Sequence, residues 1–546
     1  MRALSRLVRT TCLLGATALA ACSAPAESSD DTSTDDLTGT TSSERGLHFR
    51  SYVYLREDAS DGEISKAIAR QIRTAIGALR APKVSLNDRG ARSNLDPARW
   101  TRRTLEVVDP SNPGAAPRKV LRVTFPYDDR AVVTNALSRS STLPITMLAD
   151  DYFGHADALK ADCSDDRTTD TDSLWYHFSP QTARCKARIA REQAEIDVET
   201  RALGGKEGVI GAREASRWFV PVVAKLDAPR TPDKDYSPEY DRLFGLGTDK
   251  SQMVVYAFFG VDKDVNDPND SLAIETAKFF RTMLRAQPSF RPTRTEPHAL
   301  LLDLYVDGKK LGGVTYDKLL GWIVGDAPMP PEVGTDPKKI LELRRQALGK
   351  LTERWIYWDL PVRVSSPSGD KELTVQVRSY YGYEDGSHEA RQHAQWRYLE
   401  AMWHGDVFLY NGHSHFGHGP LEPTLYGPQN FNDRYQIMMV NSCVSFNYYH
   451  QDFIDMKPGK SRNLDMVVNG LPSWVHDGGV AMARFLTGLL DGTQKPYRAI
   501  LESMRLDMPW GERSYDPMRV VDGEFDNLFS QARTPLKLAI KPPVYP

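Results

Sequence analysis

The sequence has few cysteines, almost no net charge and, beyond its first residues, no long apolar run. A formal net charge of -3 in 546 residues argues against nucleic acid as a partner. After the N-terminus no segment approaches 18 consecutive apolar residues, which argues against a transmembrane helix. No internal repeat or heptad pattern is present, so repeat architectures are not indicated. Five cysteines are few enough to interpret one by one.

The N-terminus has the pattern of a bacterial lipoprotein signal. Three arginines precede an apolar stretch from about residue 11 to 21, which is too short to span a bilayer as a mature helix. Leu19-Ala20-Ala21-Cys22 resembles a lipobox, which implies cleavage after residue 21 and acylation of Cys22. Ser23 follows the cysteine, which favours the outer membrane over other parts of the cell envelope. An ordinary secreted protein with an incidental Cys22 is the alternative.

Composition divides the rest of the chain. Residues 22–45 are rich in Ser, Thr and Asp and are predicted to form a lipidated, disordered tether. About 500 residues follow, which is too many for one core. We expect an α+β region over 46–250, acting as a pro-region or binding domain, then an α/β domain over 251–505 and a C-terminal extension over 506–546. Export means an oxidising compartment, so a Cys163–Cys185 disulfide is expected.

Buried strands and amphipathic helices alternate in the 251–505 segment. Residues 251–260 (SQMVVYAFFG) form a strong buried-strand pattern, and helical spacing follows from residue 271. A hairpin, a helix and three further apolar runs come next. This order predicts a mostly parallel sheet with covering helices.

Two of those apolar runs end in residues that carry chemistry. One run ends Tyr410-Asn-Gly-His413, and the next ends Val440-Asn-Ser-Cys443. Strands of this kind would place an imidazole and a thiol at neighbouring carboxyl edges, where open α/β sheets bind ligands. A nearby imidazole is a common means of generating the reactive thiolate. Cys443 is also the cysteine left over once the others are assigned, although free cysteine is often simply buried.

These two segments resemble the signatures of the caspase-like cysteine peptidases, the group that includes caspases, gingipains, clostripain, legumain and separase. Residues 407–414 (VFLYNGHS) and 437–445 (IMMVNSCVS) are similar to the family's His and Cys strands. The strand from Met253 and the Asp-rich turn after it are similar to the opening of clostripain-like domains. The resemblance covers about residues 250–500 and implies a caspase-like α/β fold there.

The resemblance also implies an endopeptidase that needs no cofactor and acts on a protein or peptide. Cys443 would attack the scissile carbonyl while His413 manages the proton. The backbone amides of Ser414 and Cys443 would form the oxyanion hole, with Ser414 standing where the family usually has Gly. Asp385 could orient His413 or bind a basic substrate residue, although a turn aspartate is the plainer interpretation.

Two other interpretations compete with a peptidase. His413-Ser-His415-Phe-Gly-His418 is an H-x-H-x-x-H cluster after a strand, similar to the HxHxDH motif of metallo-β-lactamase-fold hydrolases. Three imidazoles can hold a catalytic zinc ion, although Gly417 replaces the family's Asp. A non-catalytic surface lipoprotein that keeps the caspase-like sheet is the third possibility.

An acidic segment after the first strand is a candidate calcium loop. Its oxygen-bearing side chains are Asp262, Asp264, Asn266, Asp267 and Asp270. The segment lacks the Gly and Glu that an EF-hand requires at fixed positions. Turn formation, with Asp270 as the N-cap of the following helix, is the favoured interpretation.

Overall fold

The computed structural model describes most of the chain. It covers residues 37–540 except 88–94, 113, 115, 167, 233, 288, 291, 297–301, 384–387, 474–477 and 506–515, and except the side chains of residues 388–394. The described part is a mixed α/β structure, the class that the sequence predicts. No helix in it is both long enough and apolar enough to cross a membrane.

The strands of the described residues are, in chain order, β1 (Thr38–Gly39), β2 (Ser42–Leu55), β3 (Val84–Leu86), β4 (Thr101–Val108), β5 (Arg118–Thr134), β6 (Thr142–Leu148), β7 (Val209–Gly211), β8 (Phe219–Leu226), β9 (Gln252–Phe259), β10 (Pro292–Glu296), β11 (Tyr305–Val306), β12 (Lys309–Lys310), β13 (Trp355–Ser366), β14 (Gly369–Tyr381), β15 (Val407–Asn411), β16 (Gln436–Asn441), β17 (Leu464–Asn469), β18 (Arg519–Asp522) and β19 (Lys537–Ile540).

The α-helices of the same residues are α1 (Asp61–Arg80), α2 (Ala156–Cys163), α3 (Leu174–His177), α4 (Ala183–Ala202), α5 (Ala212–Ala215), α6 (Tyr240–Leu243), α7 (Ser271–Ala286), α8 (Tyr316–Val324), α9 (Pro337–Leu348), α10 (His388–His404), α11 (Ser445–Tyr448), α12 (His450–Met456), α13 (Gly478–Leu490) and α14 (Tyr497–Met504).

A ten-stranded sheet forms the larger half of the structure, in the order β1-β18-β17-β16-β15-β9-β14-β13-β10, with β19 also paired to β13. Its five central strands, β17, β16, β15, β9 and β14, run parallel to one another. The flanking strands are antiparallel. Strand β9 has apolar residues on both faces because helices and other elements cover both sides of a parallel sheet.

Different elements cover the two faces of this sheet. On one face, side chains such as Val255 and Phe259 pack in a core with helices α7 and α13. On the other face, Tyr256 and Phe408 belong to a second core that includes Tyr398 of α10. The predicted alternation of strand and covering helix is therefore present around β9, β15 and β16.

A second sheet of seven strands is built from residues 42–226, in the order β6-β8-β2-β5-β4-β7, with β3 paired to β5. Helix α1 packs against it through residues such as Ile68 and Ile72. The buried residues of this sheet and helix belong to the same core as one face of the large sheet. The described residues between 37 and 540 accordingly belong to one compact unit.

The folded chain begins earlier than its composition indicates. Strand β1 pairs with β18, and β2 starts at Ser42, so residues 38–45 are not part of the tether predicted for 22–45. Glu44 is buried and accepts two hydrogen bonds from Arg130, at 2.8 and 2.9 Å. The guanidinium of Arg45 donates to four backbone carbonyls. Polar groups can be buried when they are paired in this way. The average hydrophobicity of a segment gives no information about such pairing, so composition alone did not predict that these residues fold.

The C-terminal segment also belongs to the sheet. Strands β18 and β19 lie beyond residue 505, where the sequence predicts an extension to the α/β domain. β18 pairs with β17 and also holds β1, so it joins the first described strand to the central sheet. Cys163 and Cys185 form a disulfide, the pairing that the sequence predicts.

Candidate active site

The ends of β15 and β16 bring His413 and Cys443 to the same edge of the large sheet. The two strands are parallel neighbours, and Asn411 is the register partner of Asn441. His413 and Cys443 each follow their asparagine by two residues. Both strands are fully buried along their length because they lie between two covered faces. The predicted parallel pairing of these two apolar strands is therefore confirmed.

A row of buried asparagines fixes the three strand ends relative to one another. Asn441 donates to the side chain of Asn411 at 2.7 Å, and Asn469 donates to the side chain of Asn441 at 3.0 Å. Arg519 also donates to Asn441, at 2.9 Å. Any side chain at Gly478 would overlap the Asn411 and Asn441 amides, so helix α13 can approach them only with glycine there. The row holds the turns that carry His413 and Cys443.

The Cys443 side chain is half-buried and packs against the hydrophobic core. Its sulfur donates to the Ser473 carbonyl at 3.5 Å, and the Tyr176 hydroxyl lies close enough to interact with it. Burial raises the pKa of this thiol, and the interactions with Ser473 and Tyr176 offset that effect only in part. The pKa of the Cys443 thiol is therefore above its ordinary value, which favours the neutral form.

The imidazole of His413 has a carboxylate partner. Its Nε2 lies 3.2 Å from Asp262 Oδ1, with 39% of the histidine side chain and 28% of the aspartate side chain exposed. The hydroxyl of Tyr410 donates to the His413 carbonyl at 2.8 Å. Within the described residues, no hydrogen bond joins the His413 ring to the Cys443 sulfur. The two groups share an edge but are not paired.

Asp262 is a site residue that the sequence analysis did not assign to the histidine. It follows β9, which lies between β14 and β15, so it leaves the sheet at the same edge as His413. The sequence contains a pattern that indicates this position, because a third apolar strand, β9, ends just before Asp262. Asp385, for which the same role was predicted, lies outside the described residues.

The loop that carries Asp262 is held by the carboxylate of Asp270, which is 1% exposed. One carboxylate oxygen accepts from the backbone N–H groups of Asp262 and Lys263, at 3.0 and 2.7 Å. The other accepts from Leu272 and Ala273 at the start of α7, at 3.0 and 3.1 Å. The predicted N-cap is confirmed, and the same side chain also shapes the loop.

Replacing Asp270 with asparagine should reveal this double role. One amide oxygen can accept from one set of donors only, and the amide NH₂ would face the other set. We expect a loss of about 2–3 kcal/mol in the free energy of unfolding, measured by urea denaturation. Asp267→Asn is the control, because the one oxygen that accepts from Asn269 is retained. Equal losses in both variants would contradict this role for Asp270.

The turns after both strands hold unusual backbone. Val444 has φ 51° and ψ 36°, and His415 and Phe416 have φ 47° and 54°. A β-branched residue rarely adopts this left-handed conformation, and such strain is concentrated at functional sites. In the described part of the chain, the N–H groups of Ser414 and Cys443 donate no hydrogen bond.

The three histidines of the alternative zinc site lie in different surroundings. The His413 and His415 ring centroids are 5.8 Å apart. His418 is mostly exposed, with its Nδ1 3.6 Å from Glu422 Oε2. Among the residues that the structure describes, no group of three or more His, Cys, Asp or Glu is arranged to hold a metal ion. Zinc and calcium binding remain predictions, which metal analysis of the purified protein tests.

Comparisons with known proteins add no further identification. No family model matches this chain, and no curated protein or solved structure matches it. The functional assignment therefore depends on the residues at the carboxyl edge of the large sheet.

Proposed function

We propose that the chain is an exported cysteine endopeptidase with a caspase-like catalytic region, in which Cys443 is the nucleophile and His413 the general base. The observation that carries this proposal is the register of β15 and β16, whose paired asparagines precede the imidazole and the thiol by the same two residues. Neutral thiols are poor nucleophiles, so an adjacent base has a clear chemical role.

The reaction is acyl transfer to and from sulfur. His413 removes the thiol proton as the Cys443 sulfur attacks the scissile carbonyl carbon, forming a tetrahedral oxyanion. The unpaired N–H groups of Ser414 and Cys443 can donate to that oxygen, each with about 3 kcal/mol of stabilisation. Collapse breaks the C–N bond, and His413 gives its proton to the leaving amine. Water then hydrolyses the thioester and regenerates the thiol.

Asp262 supports His413 in this scheme. A carboxylate on one ring nitrogen fixes the tautomer and the orientation of the ring, and it stabilises the imidazolium that forms during attack. Asp262 is the described carboxylate in contact with His413, so it takes the orienting role predicted for Asp385. Asp385 then remains a candidate for binding a basic substrate residue.

The lipobox-like N-terminal sequence supports a location at the bacterial cell envelope. Acylation of Cys22 would anchor the folded unit to a membrane, and the outer membrane is the favoured one. Multiple acyl chains on one cysteine give stable anchoring where a single chain does not. The substrate would then be a protein or peptide that reaches this surface.

Peptide hydrolysis tests the assignment. The full-length protein is incubated with internally quenched peptides that differ in the residue before the scissile bond. Its Tyr176→Ala variant, which lacks the side chain beside the Cys443 sulfur, is assayed in the same way. We expect hydrolysis that disappears in Cys443→Ala, persists in Ser442→Ala and is insensitive to a metal chelator. Hydrolysis that survives in Cys443→Ala would refute the proposal, and loss with chelator would favour the zinc hydrolase. No hydrolysis by either protein would favour a non-catalytic lipoprotein.

A further inference from the structure

A segment of the smaller half of the molecule packs beside Cys443. Residues 174–178, here called the cover, include helix α3 and follow the short helix α2. Trp175 and Tyr176 of the cover are 2% and 6% exposed. The Tyr176 hydroxyl lies close enough to the Cys443 sulfur to interact with it, and Cys443 packs against the hydrophobic core that contains Tyr176. A residue more than 250 positions away in sequence therefore lies beside the candidate nucleophile.

Aromatic contacts fix the cover to the loop that follows His413. The Phe416 ring centroid lies 5.6 Å from that of Trp175 and 5.1 Å from that of Tyr176, and both contacts are edge-on. Edge-to-face pairs of this kind each add about 0.5–1.5 kcal/mol beyond the area they bury. Phe416 has a left-handed backbone, so the loop presents its ring to the cover at the expense of local strain.

Helix α1 holds the cover from the other side. Arg73 lies over the Trp175 ring at 3.9 Å, and Arg80 lies over the Tyr176 ring at 4.6 Å. A Cβ atom at Gly77 would come within 2.6 to 2.9 Å of three cover carbonyls, those of Trp175, Tyr176 and Phe178. Glycine at this position lets the helix pack directly on the cover backbone.

A covalent clamp closes the loop that contains the cover. The Cys163–Cys185 disulfide joins positions 22 residues apart on α2 and α4. Next to it, Ser164 and Phe178 form an antiparallel bridge, and Ser179 N–H donates to the Cys163 carbonyl at 2.7 Å. The clamp limits how far the cover can move without a larger rearrangement.

We propose that the cover is an inhibitory element, with Tyr176 standing where a substrate carbonyl must approach the Cys443 sulfur. The proposal builds on the function proposed above, since it supplies the regulation of the same thiol. Substrate can reach the sulfur only after residues 174–178 move away from it. The absence of a His413 contact to Cys443 among the described groups fits a site that is folded but not assembled for catalysis.

Alkylation of Cys443 tests the cover without assuming any enzymatic activity. Native full-length protein is treated with iodoacetamide at pH 7.5, and the rate of carbamidomethylation of the Cys443 peptide is followed by mass spectrometry. We expect a slow rate in the wild type and a rate about ten-fold higher or more in Tyr176→Ala. Tyr176→Phe keeps the ring and removes the hydroxyl, so it should give an intermediate increase. The control is Tyr152→Ala, which removes another buried tyrosine from the smaller half of the molecule and should increase the rate less than Tyr176→Ala does.

The outcomes separate the cover from the peptidase. Equal alkylation rates in the wild type, Tyr176→Ala and Tyr176→Phe would overturn the cover. An increase in Tyr152→Ala as large as in Tyr176→Ala would also overturn it, because general loosening would then explain both. Faster alkylation without peptide hydrolysis would support the cover and refute the peptidase. If the wild type hydrolyses peptides at a rate that Tyr176→Ala does not change, the peptidase would be supported and the cover would be refuted.

Discussion

Replacing His413 with alanine is expected to lower kcat/KM for peptide hydrolysis by about a thousand-fold, or roughly 4 kcal/mol of transition-state stabilisation. The measurement belongs in the Tyr176→Ala background, where the cover does not limit the rate. The loss is large because Cys443 lies in a half-buried site, and burial raises the pKa of its thiol. Without a base, little thiolate forms near neutral pH.

The partner of His413 should show a smaller and more selective effect. Asp262→Asn removes the carboxylate charge at Nε2, and we expect kcat to fall by about ten- to a hundred-fold while KM changes little. Asp262→Glu should recover part of the activity. Asp264→Asn, on the same loop, is the control, because Asp264 has no described contact with His413. If Asp262→Asn and Asp264→Asn had equal effects, the positioning role would be wrong.

A buried carboxyl far from this chemistry should control how stability depends on pH. Asp465, at the start of β17, is fully buried, and one of its oxygens accepts from Tyr435, Tyr497 and Asn527. The other oxygen is buried and has no hydrogen-bond partner in the described residues. Burial raises the pKa of Asp465 to about 7, against the opposing effect of these hydrogen bonds.

The sign of the effect follows from proton binding. Between about pH 4 and pH 7 the folded protein holds a proton on Asp465 that the unfolded chain has released. The free energy of unfolding therefore falls as pH rises across this range, by of the order of 4 kcal/mol at about 1.4 kcal/mol per pKa unit. This contribution to stability is present in full below the pKa that Asp465 has in the unfolded chain. It is lost above the pKa that Asp465 has in the folded protein.

Asp465→Asn should remove this part of the pH dependence. The amide has the shape of the protonated acid and keeps one oxygen for the three donors. Near pH 4 we expect the free energy of unfolding of the variant to be equal to or below that of the wild type. Near pH 8 we expect it to be several kcal/mol higher than that of the wild type, as measured by urea denaturation. The exposed Asp58→Asn serves as the control. Parallel curves for Asp465→Asn and the wild type would contradict this account.

The central strands were predictable because a single physical signal specifies them. Runs such as Val407–Asn411 and Gln436–Asn441 are buried on both faces, so nearly every position is apolar and each run ends abruptly in polar residues. That rule places His413 and Cys443 at one edge. Applied to the strand before Asp262, it would also have found the histidine's partner. Asp262 was not identified because it is one of several acidic residues in a segment that the sequence indicates to be a turn.

The features that the sequence did not reveal depend on contacts distant in the chain. Residues 38–45 fold because Glu44 and Arg45 find partners more than 80 positions away, and their Ser- and Thr-rich composition gives no sign of this. Tyr176 reaches Cys443 only because the smaller sheet shares a core with the larger one. Local periodicity carries no information about such long-range pairs.

The most direct test of the nucleophile is to trap the covalent intermediate. The Tyr176→Ala protein is acid-quenched during turnover of a peptide ester, and its intact and peptide masses are measured. We predict an added acyl mass on the peptide that contains Cys443, and no such mass in Cys443→Ala. Steady hydrolysis with no acyl group on Cys443, or with the acyl group on another residue, would contradict the mechanism.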